Sequence, residues 1–159
     1  MTFTHIFDLD KTIWDCSDVY GNSIWAKQLL PPFSINGLVI TDDVGSTCRL
    51  RNGVHRYMSS LVSSRSLIGY CSVGRVYHLP DQYQPSLLLL DLFNLKFFSP
   101  TLCFLGYKTD SKVDHLVNVG DCIFYDDDQK NHIALRDYKS IYLVDSSAII
   151  DWDNFTLTQ

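Results

Sequence analysis

Short apolar runs alternate with longer amphipathic segments along most of the chain. Runs of four to six residues rich in Ile, Val, Phe, Tyr or Cys are typical of buried strands; they occur at Thr2–Phe7, Ser66–Cys71, Leu102–Leu105, Cys122–Tyr125 and Ser140–Val144. The segments between them have apolar residues at helical spacing or are rich in Leu; they predict helices at Val54–Ser64, Pro85–Leu95, Asp110–Val117 and Gln129–Tyr138.

This alternation of strands and helices predicts an α/β fold. Parallel neighbours need crossover connections, which are usually helices, so we expect a Rossmann-like, doubly wound parallel sheet with helices on both faces. In such sheets ligands bind outside the carboxyl ends of the strands. Acidic residues follow Phe7 and Tyr125, each at the end of a predicted strand. We therefore expect these two distant acidic clusters to share one edge of the sheet.

The segment from about residue 14 to residue 52 interrupts the pattern. It contains Pro31-Pro32, the apolar run Leu38–Ile40, a polar turn with Gly45, and then Thr47–Leu50. The last two runs flank a turn, so they predict a β-hairpin that stands over the site as a flap. About forty residues is short for a large cap domain, and we expect no such cap.

Composition and charge narrow the class of protein. The chain has 159 residues, of which 46% are apolar and 19% charged, as expected for one globular domain that spans residues 1–159 and carries the flap as an insertion. The net charge of −5 argues against general binding to nucleic acids or anionic membranes. We expect a monomer.

The cysteines and the N-terminus bear on location. Five cysteines are scattered without a Cys-x-x-Cys pair, which argues against a zinc site or a redox dithiol and favours reduced, buried thiols. Neither a signal-peptide pattern nor an apolar run of about 18 residues is present. We expect a cytoplasmic protein.

Two carboxylates one residue apart follow the first predicted strand, in the stretch HIFDLDKTIWD that begins at His5. A carboxylate at a strand end can act as a nucleophile or a metal ligand, and a second one two positions later is free to transfer protons. Asp8 and Asp10 are the candidates for these roles. For an isolated pair, a solvated turn with an Asp helix cap is the alternative interpretation.

Three further carboxylates, Asp126, Asp127 and Asp128, directly follow the fourth predicted strand. Adjacent like charges repel one another unless a cation compensates them, and oxygen ligands suit a hard divalent ion. The alternative is an acidic turn without a ligand.

Asp8-Leu9-Asp10-Lys11-Thr12 resembles the Asp-x-Asp-x-Thr signature of the haloacid dehalogenase superfamily. The resemblance implies that Asp8 attacks phosphorus and that Asp10 serves as general acid and base. It further implies that Mg2+ binds Asp8, the backbone carbonyl of Asp10 and Asp127, while Asp126 supports a lysine or a metal-bound water. Thr12 is expected to fix the loop and to contribute to phosphate binding.

The superfamily also has a lysine before its last acidic cluster, which neutralises the nucleophile and the transferred group. We favour Lys108, because it lies in a predicted loop, whereas Lys112 falls in the predicted helix, which Thr109 or Asp110 would cap. Lys112 remains the alternative, since the segment from Lys112 to Leu116 also resembles the family at this point.

Within the superfamily the chain is similar to the magnesium-dependent phosphatases and their bacterial relatives. The segments that carry this similarity are Phe7–Trp14, Pro31–Phe33, Asp91–Leu95 and Phe124–Asp128 with Asn131. Where that family has Ser-Arg-Thr after its second core strand, this chain has Ser72-Val73-Gly74-Arg75. The resemblance assigns Ser72 to a phosphoryl oxygen and leaves Arg75 as the substitute for the family's arginine.

Together these features predict a capless, magnesium-dependent phosphatase that hydrolyses phosphomonoesters through an aspartyl-phosphate intermediate. Its substrate would be a phosphosugar, a nucleotide or a phosphoprotein, because fold and motifs do not select among these. A group-transfer protein of the glyceryl-loading type and a binding or regulatory module without turnover are the two alternatives. The tryptophans, Trp14, Trp25 and Trp152, are expected to pack in the core or the flap.

Overall fold

The computed structural model describes residues 3–157 and contains two five-stranded sheets. The strands are β1 Thr4–Phe7, β2 Trp14–Ser17, β3 Ser23–Ile24, β4 Ser34–Asn36, β5 Val39–Thr41, β6 Thr47–Leu50, β7 Leu67–Ser72, β8 Phe104–Leu105, β9 Cys122–Asp126 and β10 Ile141–Asp145. The α-helices are α1 Val54–Ser63, α2 Pro85–Leu92, α3 Lys112–Val119 and α4 Gln129–Leu135.

The central sheet is parallel and has the strand order β10-β9-β1-β7-β8. Strand β1 lies in the middle, where Phe7 pairs with Tyr70 on one side and with Tyr125 on the other. All five carboxyl ends therefore meet along one edge. The predicted α/β class with a parallel sheet is confirmed.

Helices cover both faces of this sheet, because consecutive strand residues point to opposite sides. On one face Phe7, Ile123 and Tyr125 belong to the same buried cluster as α1 and α2. On the other face Ile6 and Phe124 belong to a second buried cluster together with α3 and α4. The sheet is thus doubly wound. Separately, none of the helices within residues 3–157 is long and apolar enough to cross a membrane.

The observed elements differ from the predicted ones mainly at their ends. Helix α2 stops at Leu92 instead of Leu95, since Asn94 adopts a left-handed backbone with φ of 56°. Helix α4 stops at Leu135 instead of Tyr138. The third predicted strand shortens because a 3-10 turn occupies Pro100–Leu102. Thr2, where the first strand was predicted to begin, lies outside the described residues.

The flap is larger than predicted. The expected hairpin exists as the antiparallel pair β5 and β6, but it is part of a five-stranded antiparallel sheet with the order β3-β2-β6-β5-β4. The extra strands are only two to four residues long, too short for a clear alternating pattern. Buried Trp14, Cys48 and Leu50 join the flap to the α1 and α2 side of the core.

Arg51 fastens the flap to the C-terminal part of the chain. Its guanidinium makes two bonds to the Asp15 carboxylate, at 2.8 and 2.9 Å. It also donates to the carbonyl oxygens of Ser146 and Ile149, at 3.2 and 3.1 Å. A planar guanidinium fits such a set of acceptors because its donors form a rigid fork. Arg51 therefore links the flap sheet to the segment that follows β10.

Candidate functional site

Three carboxylates meet at the carboxyl edge of the central sheet. Asp8 follows β1, Asp126 ends β9 and Asp127 comes next, and one oxygen from each lies within 4.8 Å of the others. The backbone N–H of Asp8 donates to the carbonyl of Tyr125 at 2.8 Å, which ties the end of β1 to β9. The prediction that the two distant acidic clusters share one edge is confirmed.

Lys112 is the cation of this cluster. Its amine donates to Oδ1 of Asp8 at 2.8 Å and to Oδ2 of Asp126 at 3.3 Å. The side chain of Lys112 is only 10% exposed and that of Asp126 is fully buried. Burial lowers the pKa of Lys112, but the two carboxylates outweigh it and raise the pKa above its ordinary value. Lys112 therefore stays charged against the acidic group.

The structure brings Lys112, the alternative, to the carboxylates, and not the favoured Lys108. Helix α3 begins at Lys112, where Ser111 caps it by accepting a bond from the N–H of Asp114 at 3.3 Å. Neither Thr109 nor Asp110 is the cap, so the helix starts two residues later than predicted. Its first residue consequently faces the sheet edge. Lys108 borders the same cavity but forms no ion pair with any carboxylate in residues 3–157.

Burial destabilises the negative charges of the acidic cluster, and the positive charge nearby is too small to compensate them. It raises the pKa of Asp8 to about 7, although the nearby Lys112 pulls the value down. Burial also raises the pKa values of Asp126 and Asp127. A single lysine thus does not neutralise three desolvated carboxylates, and a divalent cation bound through their oxygens would complete the compensation.

Asp126 is already occupied by internal bonds. Its Oδ2 accepts from Asn131 at 2.7 Å as well as from Lys112, and its Oδ1 accepts from the backbone N–H of Asp128 at 2.9 Å. Asp127 is half-buried and borders the cavity. Asp128 is exposed and caps α4 by accepting from the N–H of Lys130. These bonds suit Asp126 for support of Lys112 and leave Asp127 better placed for a direct ligand role.

Asp10 is held separately from this cluster. Its Oδ1 accepts from the indole N–H of Trp14 at 3.0 Å and from the backbone N–H of Ala26 at 2.9 Å, and 7% of the residue is exposed. Burial raises the pKa of Asp10, while the two hydrogen bonds lower it. Asp10 borders the same cavity as Asp8. The two acids of the opening motif therefore have different partners in one cavity.

Thr12 holds Asp8 and does not reach the cavity. Its hydroxyl lies 2.7 Å from Oγ of Ser146 and donates to Oδ2 of Asp8 at 3.5 Å, and the residue is completely buried. The expectation that Thr12 fixes the loop agrees with these bonds. Its assignment to phosphate binding does not, because no surface of Thr12 is open to a ligand.

Ser72 and Arg75 have different outcomes. Ser72 ends β7, is 3% exposed and borders the cavity. A Cβ atom at Gly74 would lie 3.3 Å from the Ser72 hydroxyl, so the glycine keeps the space beside it open. Arg75 instead donates to the carbonyl of Leu105 and to Asp81, both at 2.7 Å, and it does not border the cavity. The structure therefore does not bring Arg75 to the cavity, where the resemblance would place a phosphate contact.

The cavity has a volume of about 1000 Å³ and extends beyond the carboxylates to residues of the flap, α3 and α4. Its floor carries the catalytic candidates, and its walls come from the flap, α3 and α4. The residues that line it are Asp8, Asp10, Trp25, Lys27, Gln28, Ser72, Val73, Gly74, Lys108, Asp110, Ser111, Lys112, Val113, Asp127, Asp128, Gln129, Lys130 and Asn131.

Sequence reasoning missed the contribution of the flap segment around Trp25. The Trp25 ring is 47% exposed, borders the cavity and lies under the Lys11 amine, 5.0 Å from the ring centre. Gln28 fixes the segment by accepting from the N–H of Trp25 at 2.8 Å. The bond from Ala26 to Asp10 uses a backbone N–H, which any residue supplies, so no side-chain pattern signals it.

Comparisons with known proteins add no family to this picture. No family model matches the chain, and a search of curated proteins finds no significant match.

Proposed function

We propose that the protein is a magnesium-dependent phosphatase that hydrolyses phosphomonoesters through a phosphorylated Asp8. The observation that carries the proposal is the position of Asp8 at the floor of an open cavity, bonded to Lys112 and beside Asp127, with Asp10 bound separately. Covalent phosphoryl transfer requires a nucleophile next to a fixed cation. It also requires a nearby second acid whose surroundings, and therefore pKa, differ from those of the nucleophile.

The carboxylates of Asp8 and Asp127 would hold the metal, together with the backbone carbonyl of Asp10 that the family resemblance implies. Their oxygen donors suit Mg2+, and their deficit of positive charge favours a divalent ion. When bound, the ion would polarise the phosphoryl oxygens and offset the charge that develops on them. Asp126 would keep Lys112 in place through the bond at 3.3 Å.

The side chains divide the chemistry between them. A carboxylate oxygen of Asp8 forms a bond to phosphorus as the bond from phosphorus to the leaving oxygen breaks. Asp10, whose pKa burial raises, gives its proton to that leaving oxygen and then takes a proton from the water that hydrolyses the acyl phosphate. Lys112 and the Ser72 hydroxyl hold the transferred oxygens.

The proposal is tested by phosphate release from para-nitrophenyl phosphate with and without Mg2+. We expect metal-dependent turnover in the native protein and a loss of at least about 1000-fold in the Asp8→Asn variant. Asp121→Asn is the matched control, because Asp121 is exposed and precedes the opposite end of β9.

Trapping provides the second arm of the test. Borohydride reduction of enzyme quenched during turnover, followed by peptide mass spectrometry, should mark Asp8 and no other carboxylate. Full activity of Asp8→Asn contradicts the covalent mechanism. Binding of Mg2+ without hydrolysis of aryl phosphates, phosphosugars, nucleotides or phosphopeptides contradicts the proposed phosphatase and favours a binding module.

A further inference from the structure

Two buried cysteines face each other in the flap sheet, away from the acidic cluster. Cys16 on β2 and Cys48 on β6 are directly paired in the antiparallel register, and their sulfur atoms lie 2.7 Å apart. They are 3% and 0% exposed, and both are free thiols. We propose that this pair is a disulfide-forming site that closes the flap sheet covalently on two-electron oxidation.

The backbone already meets the geometric requirement for a disulfide. Directly opposed residues of an antiparallel pair have Cα atoms about 4.5 to 5.5 Å apart and side chains on the same face. Disulfides form across Cα separations of about 4.4 to 6.8 Å. The sulfur atoms of Cys16 and Cys48 have only to approach a little further, so the bond forms without rearrangement of either strand.

The other cysteines do not offer a competing pair. Cys71 on β7 and Cys122 on β9 are separated by the whole of β1, since both strands flank it, which places them about two strand spacings, or roughly 9 to 10 Å, apart. Cys103 is half-buried and directly precedes Phe104, the residue that pairs with Cys71. Because consecutive residues of an extended chain point to opposite faces, the Cys103 thiol faces away from Cys71 and donates to the carbonyl of Ser99 at 3.3 Å. The native fold thus selects one pair among five cysteines.

The reaction needs an oxidant, for which hydrogen peroxide serves. One sulfur attacks a peroxide oxygen, the O–O bond breaks, and a sulfenic acid and water form. The second sulfur then displaces the sulfenic oxygen, which leaves as a second water. One S–S bond replaces two S–H bonds, and the sulfurs lose the two electrons that the peroxide gains. A dithiol reductant reverses the change.

Burial slows the oxidation of Cys16 and Cys48. It raises the pKa of the Cys48 thiol above its ordinary value, and the neighbouring Cys16 adds to the effect. The thiolate is the reactive form, so the native pair reacts slowly with peroxide. Half-buried Cys103 is expected to react earlier and serves as an internal indicator that oxidation has taken place.

The bond would lock the part of the flap that borders the cavity. Residues 17–47 lie within the loop that it closes, and they include Trp25 and Lys27. Closing a loop of this length restricts the unfolded chain, so we expect the thermal midpoint to rise by about 5 °C. The inference does not depend on the proposed phosphatase activity, because each readout concerns the covalent state or the stability of the chain.

Peptide mapping tests the proposal directly. Each of the five cysteines falls in a different tryptic peptide, with Cys16 in residues 12–27 and Cys48 in residues 28–49. The full chain is treated with peroxide, its remaining thiols are alkylated, and it is digested. We expect peptides 12–27 and 28–49 to be linked, with the link lost after treatment with dithiothreitol.

Variants complete the experiment. Cys103→Ser should still form the link and show the rise in thermal midpoint, whereas Cys48→Ser and Cys16→Ser should show neither. The mapping in the native sequence decides the matter even if a variant fails to fold. Because Cys103 reacts first, the peroxide treatment is continued for many times the period that oxidises Cys103 fully. The proposal is overturned if the two peptides are still separate at that point, or if either of them is linked to a different cysteine.

Discussion

Among single residues, Lys112 contributes most to the charge balance of the site, because its amine forms ion pairs with both Asp8 and Asp126. In the proposed mechanism this lysine would neutralise the Asp8 nucleophile and hold the phosphoryl group that Asp8 receives. Removal would leave two buried carboxylates facing each other, which is costly because neither is solvated. The effect on function should therefore far exceed that of removing a surface charge.

We expect Lys112→Met to lower the kcat for para-nitrophenyl phosphate by about 100-fold or more, because a preorganised charge next to the reacting group is lost. Lys108→Met is the matched control, since Lys108 borders the cavity without an ion pair in the described part of the chain. Steady-state kinetics at saturating Mg2+ measure both. A larger loss in Lys108→Met than in Lys112→Met would reverse the assignment.

The proposed Mg2+ binding should depend on pH, because Asp8 is one of the proposed ligands and can be protonated. With its pKa raised to about 7 by burial, the metal-free carboxyl holds a proton below that pH, and Mg2+ must displace it. We expect the Mg2+ affinity to fall by up to about tenfold for each pH unit below 7. Calorimetry in buffers of different ionisation enthalpy measures the affinity and the released proton. A constant affinity between about pH 5.5 and 7.5 contradicts the prediction.

The residues of the site differ in how far the sequence could predict them. Asp8, Asp10 and Ser72 follow strands at positions that their order in the chain specifies, and the structure places all three at one cavity. The choice between Lys108 and Lys112 depended on where α3 begins, and a shift of two residues in a helix start lies within ordinary boundary error. The positions of Thr12 and Arg75 away from the cavity could not be predicted, since a sequence motif does not reveal hydrogen-bond partners.

Among elements, the flap sheet affects the site most directly. Its first strand begins at Trp14, whose indole holds Asp10, and its 3-10 turn at Ala26–Gln28 supplies the second bond to the same oxygen. The flap therefore both orients Asp10 and lowers its pKa against the effect of burial. The proton transfer that we propose for Asp10 would therefore depend on residues of the flap.

Trp14→Phe tests this dependence, because it keeps an aromatic ring but removes the indole donor. We expect kcat to fall by at least about tenfold. Since the lost bond lowered the pKa of Asp10, that pKa should rise and the alkaline limb of the pH–rate profile should move to higher pH. Trp152→Phe is the matched comparison, because its indole donates to the carbonyl of Thr12 and does not contact Asp10. Identical profiles for the two variants would contradict the role of Trp14.

Three polar side chains form a hydrogen-bonded row on the α1 side of the central sheet. Nδ1 of His5 lies 2.8 Å from the hydroxyl of Tyr125, which lies 2.6 Å from the hydroxyl of Tyr57. Burial lowers the pKa of His5 to about 4. The imidazole is therefore neutral in the folded chain at a pH where the unfolded chain already binds a proton.

This histidine should make stability depend on pH. Between about pH 6.5 and pH 4 the unfolded state binds the proton and the folded state does not, so stability falls as pH falls, by about 2 kcal/mol after allowance for partial solvent screening. Urea unfolding at several pH values measures this. His5→Gln should lose that part of the pH dependence, while the same change at exposed His78 should retain it. Equal pH slopes in native protein and His5→Gln contradict the prediction.

At the scale of the whole molecule, the sequence pattern predicted the parallel sheet and its helices but not the second sheet. Strand β9 has the apolar run Cys122–Tyr125, and β1 ends in the apolar pair Ile6-Phe7, so both follow the pattern of buried strands. Strands β3 and β4 have two and three residues and are largely exposed, so they bear neither a run nor an alternation. Each pairs with the strand next to it in the chain, β3 with β2 and β4 with β5. The sheet is assembled by the pairing of β2 with β6, which lie about 30 residues apart and whose contact a local pattern does not encode.

The continuity between the two sheets has a consequence for access to the cavity. The flap shares its buried cluster with the central sheet, and Arg51 ties it to the C-terminal segment. Movement of the flap away from the central sheet would expose this shared cluster of buried side chains to water. We therefore expect the width of the cavity entrance to change little, so that it limits the size of the molecules that could enter.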